Sequence, residues 1–164
     1  MRFGQLDYEI RQCEQHLDTT ATRNTEVENY LVRYMLVRIC AEYETRIAAL
    51  VQRRCSRIND QYLLRFSHWG AKLATRNFNV GDISGMLGLF GEDYKKTFSD
   101  AVLKTEAETA WNNIYTNRHT VAHGNGTVMM TFPDLVRDYA DSVVVIDKIV
   151  TALCLRPKDI KGLN

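Results

Sequence analysis

The chain has 164 residues, 45% of them apolar and 10% aromatic, which is the size of one domain with enough apolar mass for a real core and excludes a disordered polymer. Its net charge of +1 excludes a polycation, so any contact with nucleic acid has to come from a local patch. No basic segment precedes a short apolar run and no apolar run approaches ~18 residues, which argues against secretion and membrane spanning and predicts a cytoplasmic protein.

Two prolines, Pro133 and Pro157, and a near absence of alternating β-branched runs predict an all-α chain. Phe3, Leu6, Ile10, Cys13 and Leu17 recur at three- and four-residue spacing, predicting an N-terminal helix over 2–18. After a polar break at 19–22, Thr25-x-x-Glu28 has the form of a capping box. It opens a helix of near thirty residues carrying Val27, Tyr30, Leu31, Tyr34, Leu36, Val37, Cys40, Tyr43, Ile47, Leu50 and Val51, the expected spine of the bundle.

The end of that helix changes character. From Arg46 to Arg76 seven basic residues (Arg46, Arg53, Arg54, Arg57, Arg65, Lys72 and Arg76) face one acid, Asp60. Arg46, Arg53, Arg54, Arg57 and Arg65 are candidate RNA-backbone contacts. The plainer reading is a solvated helix end whose cations complement the macrodipole.

A helix from about Ser56 to Trp69 follows, with Ile58, Tyr62, Leu63, Phe66 and Trp69 predicted inward. His68 reads as a surface or boundary residue. Glycines at 81, 85, 88 and 91 surround one short helix near 83–90 and do not form the G-x4-G-K-[ST] of a phosphate loop. Glu92 to Val102 predicts another helix on Tyr94, Phe98 and Val102. After the motif helix described next, Thr131-Phe132-Pro133-Asp134 starts a last helix with a cap residue and a proline in the first turn. Phe132, Leu135, Tyr139, Val143, Ile146, Val150 and Leu153 line its face, and 143–146 is apolar all round, which predicts cover on more than one side. A polar tail occupies 156–164. The four cysteines, at 13, 40, 55 and 154, form no C-x-x-C pair and read as reduced, mostly buried thiols.

The densest chemistry lies in Asn117-Arg118-His119-Thr120-Val121-Ala122-His123-Gly124. Its helix runs from a Thr105-x-x-Glu108 capping box to Gly124, a residue suited to a left-handed helix stop. At about 100° per residue Ala107, Trp111, Ile114 and Val121 share a stripe with Arg118 near its middle. Either the arginine snorkels from an apolar surface or it faces a partly buried shared site. His119 and His123 fall on the neighbouring polar face, with Arg118 and His123 about 140° apart. One regular helix would not aim both at one atom. Either the last turn opens or a second copy supplies the missing group.

Arg118-His119-x3-His123 resembles the R-[polar]-x3-H motif of the HEPN superfamily, and Val-Ala-His-Gly at 121–124 is similar to the ending common among its prokaryotic members. The upstream layout, a long apolar helix and then a short-helix segment at 83–91, resembles the RiboL-PSP-HEPN branch. The likeness covers about residues 25 to 154 of what reads as one domain over 1–164. It implies a HEPN-like bundle of about five to seven helices with an antiparallel core and a late motif helix. It also implies a metal-independent endoribonuclease, without cofactor, whose site forms at a homodimer interface, in toxin–antitoxin systems or antiviral defence. The substrate it implies is RNA, with an antitoxin or regulatory protein as a further partner.

In that setting His123 is the base or acid, Arg118 the charge clamp, and His119 the polar position that orients phosphate or histidine. The chemistry suits the residues, because RNA carries its own nucleophile in the 2′-hydroxyl. Three rivals stand beside it. His119-x3-His123 has the spacing of zinc-binding helices but lacks the glutamate of H-E-x-x-H and any clustered third ligand. A silent HEPN scaffold for dimerisation or nucleotide and RNA binding would keep the fold without the reaction. Histidines that merely cap and hydrogen-bond inside the bundle would need neither.

Overall fold

A computed structural model describes residues 3–74, 78–123, 128–156 and 159. Within them the chain forms seven helices and no strand: α1 (Gly4–Thr19), α2 (Glu26–Cys55), α3 (Gln61–Ala74), α4 (Val80–Gly88), α5 (Glu92–Val102), α6 (Glu106–His123) and α7 (Phe132–Ala152). The all-α bundle expected from the sequence is what forms.

Everything packs along α2, thirty residues long. Thr25 Oγ1 accepts from the Val27 N–H at 3.2 Å and starts the helix. Glu28 does not close the expected box. It is buried, accepting from the Asn24 N–H at 2.5 Å and the Phe132 N–H at 2.7 Å, and so ties the start of α2 to the start of α7.

Cross-links fix the direction of each neighbour. Phe3 packs on Tyr43 and Glu9 pairs with Arg38 at 3.0 Å, so α1 runs antiparallel to α2. The Glu28 bond to Phe132 and a Tyr43–Ser142 hydroxyl bond of 2.7 Å make α7 parallel to α2. Asn29 Nδ2 donates to the Val128 carbonyl at 3.2 Å and Tyr43 stacks on Trp111, so α6 is antiparallel. One apolar cluster runs through these elements from Phe3 to Leu155.

The core-facing side of α2 is Val32, Met35, Leu36, Ile39, Cys40, Tyr43, Ile47 and Leu50, all sealed from solvent. Val27, Tyr30, Tyr34 and Val37, which the sequence reading counted on the same apolar helix, are exposed. A helix turns about 100° per residue, so Tyr34 and Leu36 cannot face one neighbour. α2 is apolar on two sides and the described residues cover one.

Other boundaries shift for local reasons. α3 begins at Gln61 rather than Ser56, because Asp60 Oδ1 caps it, accepting from Tyr62 and Leu63 N–H at 2.8 and 3.1 Å. Ile58, Tyr62 and Leu63 are exposed rather than inward. The side chains of Phe66, His68, Trp69 and Lys72, and all of Arg76, lie outside the described residues. α4 starts early through an Asn79–Asp82 capping box. The Thr105 box is half made: Thr105 Oγ1 accepts from the Glu108 N–H at 3.4 Å, while Glu108 Oε2 takes the Lys104 N–H at 2.6 Å.

α7 opens as expected, with a complete Thr131–Asp134 box and Pro133 in the first turn. α2, α5 and α6 cover it on more than one side, as expected, though not all round. Phe132, Leu135, Tyr139, Ile146 and Leu153 are buried, Val143 and Val150 half-buried, and Val144 is exposed. The four cysteines are free thiols, with Cys40 and Cys55 buried, Cys13 half-buried and Cys154 exposed. Among the described residues no helix is long and apolar enough to cross a membrane.

Candidate functional site

Trp111 anchors the motif helix. Its Nε1 donates to the Phe78 carbonyl at 2.8 Å, and its ring stacks on Tyr43 at 4.6 Å and 7° and on Tyr115 at 5.3 Å and 20°. Asn112 Oδ1 accepts from the Val80 N–H at 3.2 Å, and Asn113 Nδ2 donates to the buried Asp138 carboxylate at 3.1 Å. α4, α2 and α7 thus hold α6 on three sides. Its last two turns carry the motif on a fixed base.

Arg118 continues the stripe of Trp111 and Ile114 and is half-buried at the rim of the core. Its charge is felt inward. Burial pushes the Cys40 thiol up to about 12, with Arg118 opposing the shift and Glu44 adding to it. Burial also raises the Tyr115 hydroxyl, again with Arg118 opposing. Cys40 and Glu44 stand four apart on α2 and Tyr115 three before Arg118. The arginine therefore sits in a partly buried electrostatic cluster that the sequence reading missed, because its members come from two separate helices. The Tyr115 hydroxyl is buried without a hydrogen-bond partner among the described residues.

His119 and His123 are exposed, one turn apart, with ring centroids 4.2 Å from each other and planes tilted by 50°. α6 remains helical through His123, so up to that residue the last turn does not open. Gly124 and the turn to 126 lie outside the described residues. Arg118 and His123 accordingly keep different faces of one helix. Among the described residues no third His, Cys, Asp or Glu joins the pair in a metal-binding group, which leaves the donor set short of the four ligands usual for zinc.

The basic stretch is divided by the fold. Arg46 is buried, paired with Glu42 at 3.1 Å and laid over the Phe3 ring at 4.9 Å, so it presents no cation to a polyanion. Arg54 is half-buried, bonded to the Tyr94 hydroxyl and lying 5.4 Å from that ring's centroid. Arg57 is held at the bundle's end by the Cys154 carbonyl at 3.2 Å and Asp159 at 3.1 Å. Arg53 and Arg65 are exposed and form no ion pair among the described residues. Arg53 stands thirteen residues beyond Cys40, about 20 Å along α2. The fold brings Arg118 together with the histidines on one helix end and leaves the basic residues at the other end of the spine.

No curated protein and no solved structure matches the chain. The family model described as RiboL-PSP-HEPN matches residues 4–155.

Proposed function

Because the chain belongs to the RiboL-PSP-HEPN family, we propose that it is a metal-independent RNA endonuclease, acting as a homodimer in toxin–antitoxin or antiviral defence. The observation that carries the reading is the His119–His123 ring contact on the open face of α6, next to a half-buried arginine. Two imidazoles, one and five residues beyond a half-buried cation, suit the transfer of a proton beside a phosphate.

In the reaction the RNA 2′-oxygen attacks the adjacent phosphorus and its proton passes to a base. The P–O5′ bond breaks, and the leaving 5′-oxygen takes a proton. His123 exchanges these protons, His119 orients it or the phosphate, and the Arg118 guanidinium stabilises the charge that gathers on the phosphorane oxygens. Of the five arginines named as RNA contacts, Arg53 and Arg65 are left to hold backbone phosphates.

Purified protein should cut single-stranded or loop RNA in EDTA and leave a 2′,3′-cyclic phosphate and a 5′-hydroxyl, with DNA untouched. Cleavage that needs added zinc, or that cuts DNA equally, would overturn the reading. RNA binding without cleavage would instead make the chain a scaffold.

A further inference from the structure

Along α2 the described residues leave an apolar face uncovered. Val27, Tyr30, Tyr34 and Val37 are 38%, 64%, 51% and 45% exposed, and Ala41 after them is exposed too. Successive spacings of three and four residues align the five in one stripe, the spacing of a helix-pairing seam. No charged side chain falls in the stripe from Val27 to Ala41; of its two flanking cations, Arg38 is turned to Glu9 at 3.0 Å and Arg33 is half-buried. Continuous exposed apolar surface of this kind marks a contact face.

The stripe runs beside the motif. With α6 antiparallel to α2, Tyr43 against Trp111 and Asn29 against Val128, the segment from Tyr30 to Val37 lies alongside the last turns of α6. Glu44, whose charge reaches the same Cys40 and Tyr115 groups as that of Arg118, follows Val37 by seven residues and so continues its line on the helix.

We propose that the stripe seats a second copy of the chain, α2 against α2 across a two-fold axis, and that this pairing sets the Arg118–His119–His123 segments of both copies beside one cleft. The inference rests on the two-chain reading of the site and names the surface that builds it. A two-fold contact needs a self-complementary patch, which a seam with heptad-like spacing and no charge between Val27 and Ala41 is. The seam is about 21 Å long, too little for the ~800 Å² per partner that stable pairs bury. The contact must therefore spread to neighbouring surface, and the open end of α6 is the neighbour. An RNA strand is the poorer occupant, since the stripe offers its phosphates no cation.

The test uses the full chain in sedimentation equilibrium at micromolar concentrations, comparing wild type with Tyr34→Glu, Val37→Glu and, as control, Val144→Glu on the exposed side of α7. The wild type and the control should be dimeric, and each seam variant should weaken association at least about a hundredfold while keeping its helix content. In a Cys154→Ser background Tyr34→Cys should form an interchain disulfide under mild oxidation. A dimer indifferent to both seam charges and giving no disulfide would overturn the seam but leave a two-chain site standing. A monomeric wild type would overturn both. Seam variants that remain dimeric and lose RNA binding would assign the stripe to RNA and likewise overturn the proposal.

Discussion

His119 and His123 stand ring to ring, 4.2 Å between centroids, on the solvent side of a helix whose opposite stripe is locked by Trp111. Arg118, one residue away in sequence, belongs to the core's rim and not to the pair.

That division predicts unequal roles. Arg118→Ala and His123→Ala should each lower RNA cleavage at least about a hundredfold, the cost of losing a charge stabiliser or an acid–base group. His119→Ala should cost less. Circular dichroism should show all three folded, and initial rates on a single-stranded RNA decide the order. Mixing Arg118→Ala with His123→Ala chains should restore part of the activity if one cleft draws an arginine and a histidine from different copies. Heterodimers shown to be present yet inactive would reject that division.

Arg53→Glu combined with Arg65→Glu should weaken RNA binding across sequences and flatten its salt dependence, with helix content intact. The same charge reversal at Arg46 would instead bury an unpaired carboxylate beside Glu42 and destabilise the fold. Anisotropy titrations at several salt concentrations, with urea melts alongside, separate the two effects. An unchanged salt slope in the surface variant would return those cations to solubility alone.

Thiol labelling should distinguish the cysteines. Cys154 is exposed, whereas Cys40 is buried and its thiol is pushed up to about 12, which leaves almost no thiolate at neutral pH. A colorimetric thiol reagent should modify Cys154 first in the native chain and reach Cys40 and Cys55 after unfolding. Rapid native labelling of Cys40 would show that the α2–α6 contact opens.

The aromatic column should carry much of the stability. Trp111→Ala empties a fully buried site and should cost about 3–5 kcal/mol. Tyr43→Phe removes the 2.7 Å bond to Ser142 Oγ and should cost roughly 1 kcal/mol. Urea unfolding with unchanged m-value checks both.

Acid should loosen the start of α7. The Thr131 hydroxyl, then its backbone N–H and Arg137, hold the Asp134 carboxyl below its ordinary 3.8 against the opposing effect of burial. A lowered folded value means that the stabilisation is present above the unfolded value and is lost as pH falls through the folded one. Asp134→Ala should therefore cost about 1 kcal/mol near neutral pH, and the difference from wild type should vanish in acid below the folded value. A difference that persists there would place the carboxylate's role elsewhere.

By itself the sequence determined the helices and the motif. Three- and four-residue apolar spacing, the Thr131 box with Pro133, and the Arg118–His123 window are local, and local periodicity sets which segments coil. Arg118-His119-x3-His123 was legible as a site for the same reason: one helix carries all of it.

Tertiary packing decided what each helix faces. The sequence made α2 apolar on two sides, and the neighbours α1, α6 and α7 selected Leu36, Ile39 and Tyr43 for the core, leaving Tyr30, Tyr34 and Val37 outside. Arg46 looked like its neighbour Arg53 in the chain, but Glu42 and the Phe3 ring drew it inward. Glu28 looked like a local cap and became a link to Phe132. Cys40, Glu44 and Tyr115 joined the surroundings of Arg118 because two antiparallel helices met in one register. Such choices depend on contacts between residues as far apart as 28 and 132, and no window of sequence contains them.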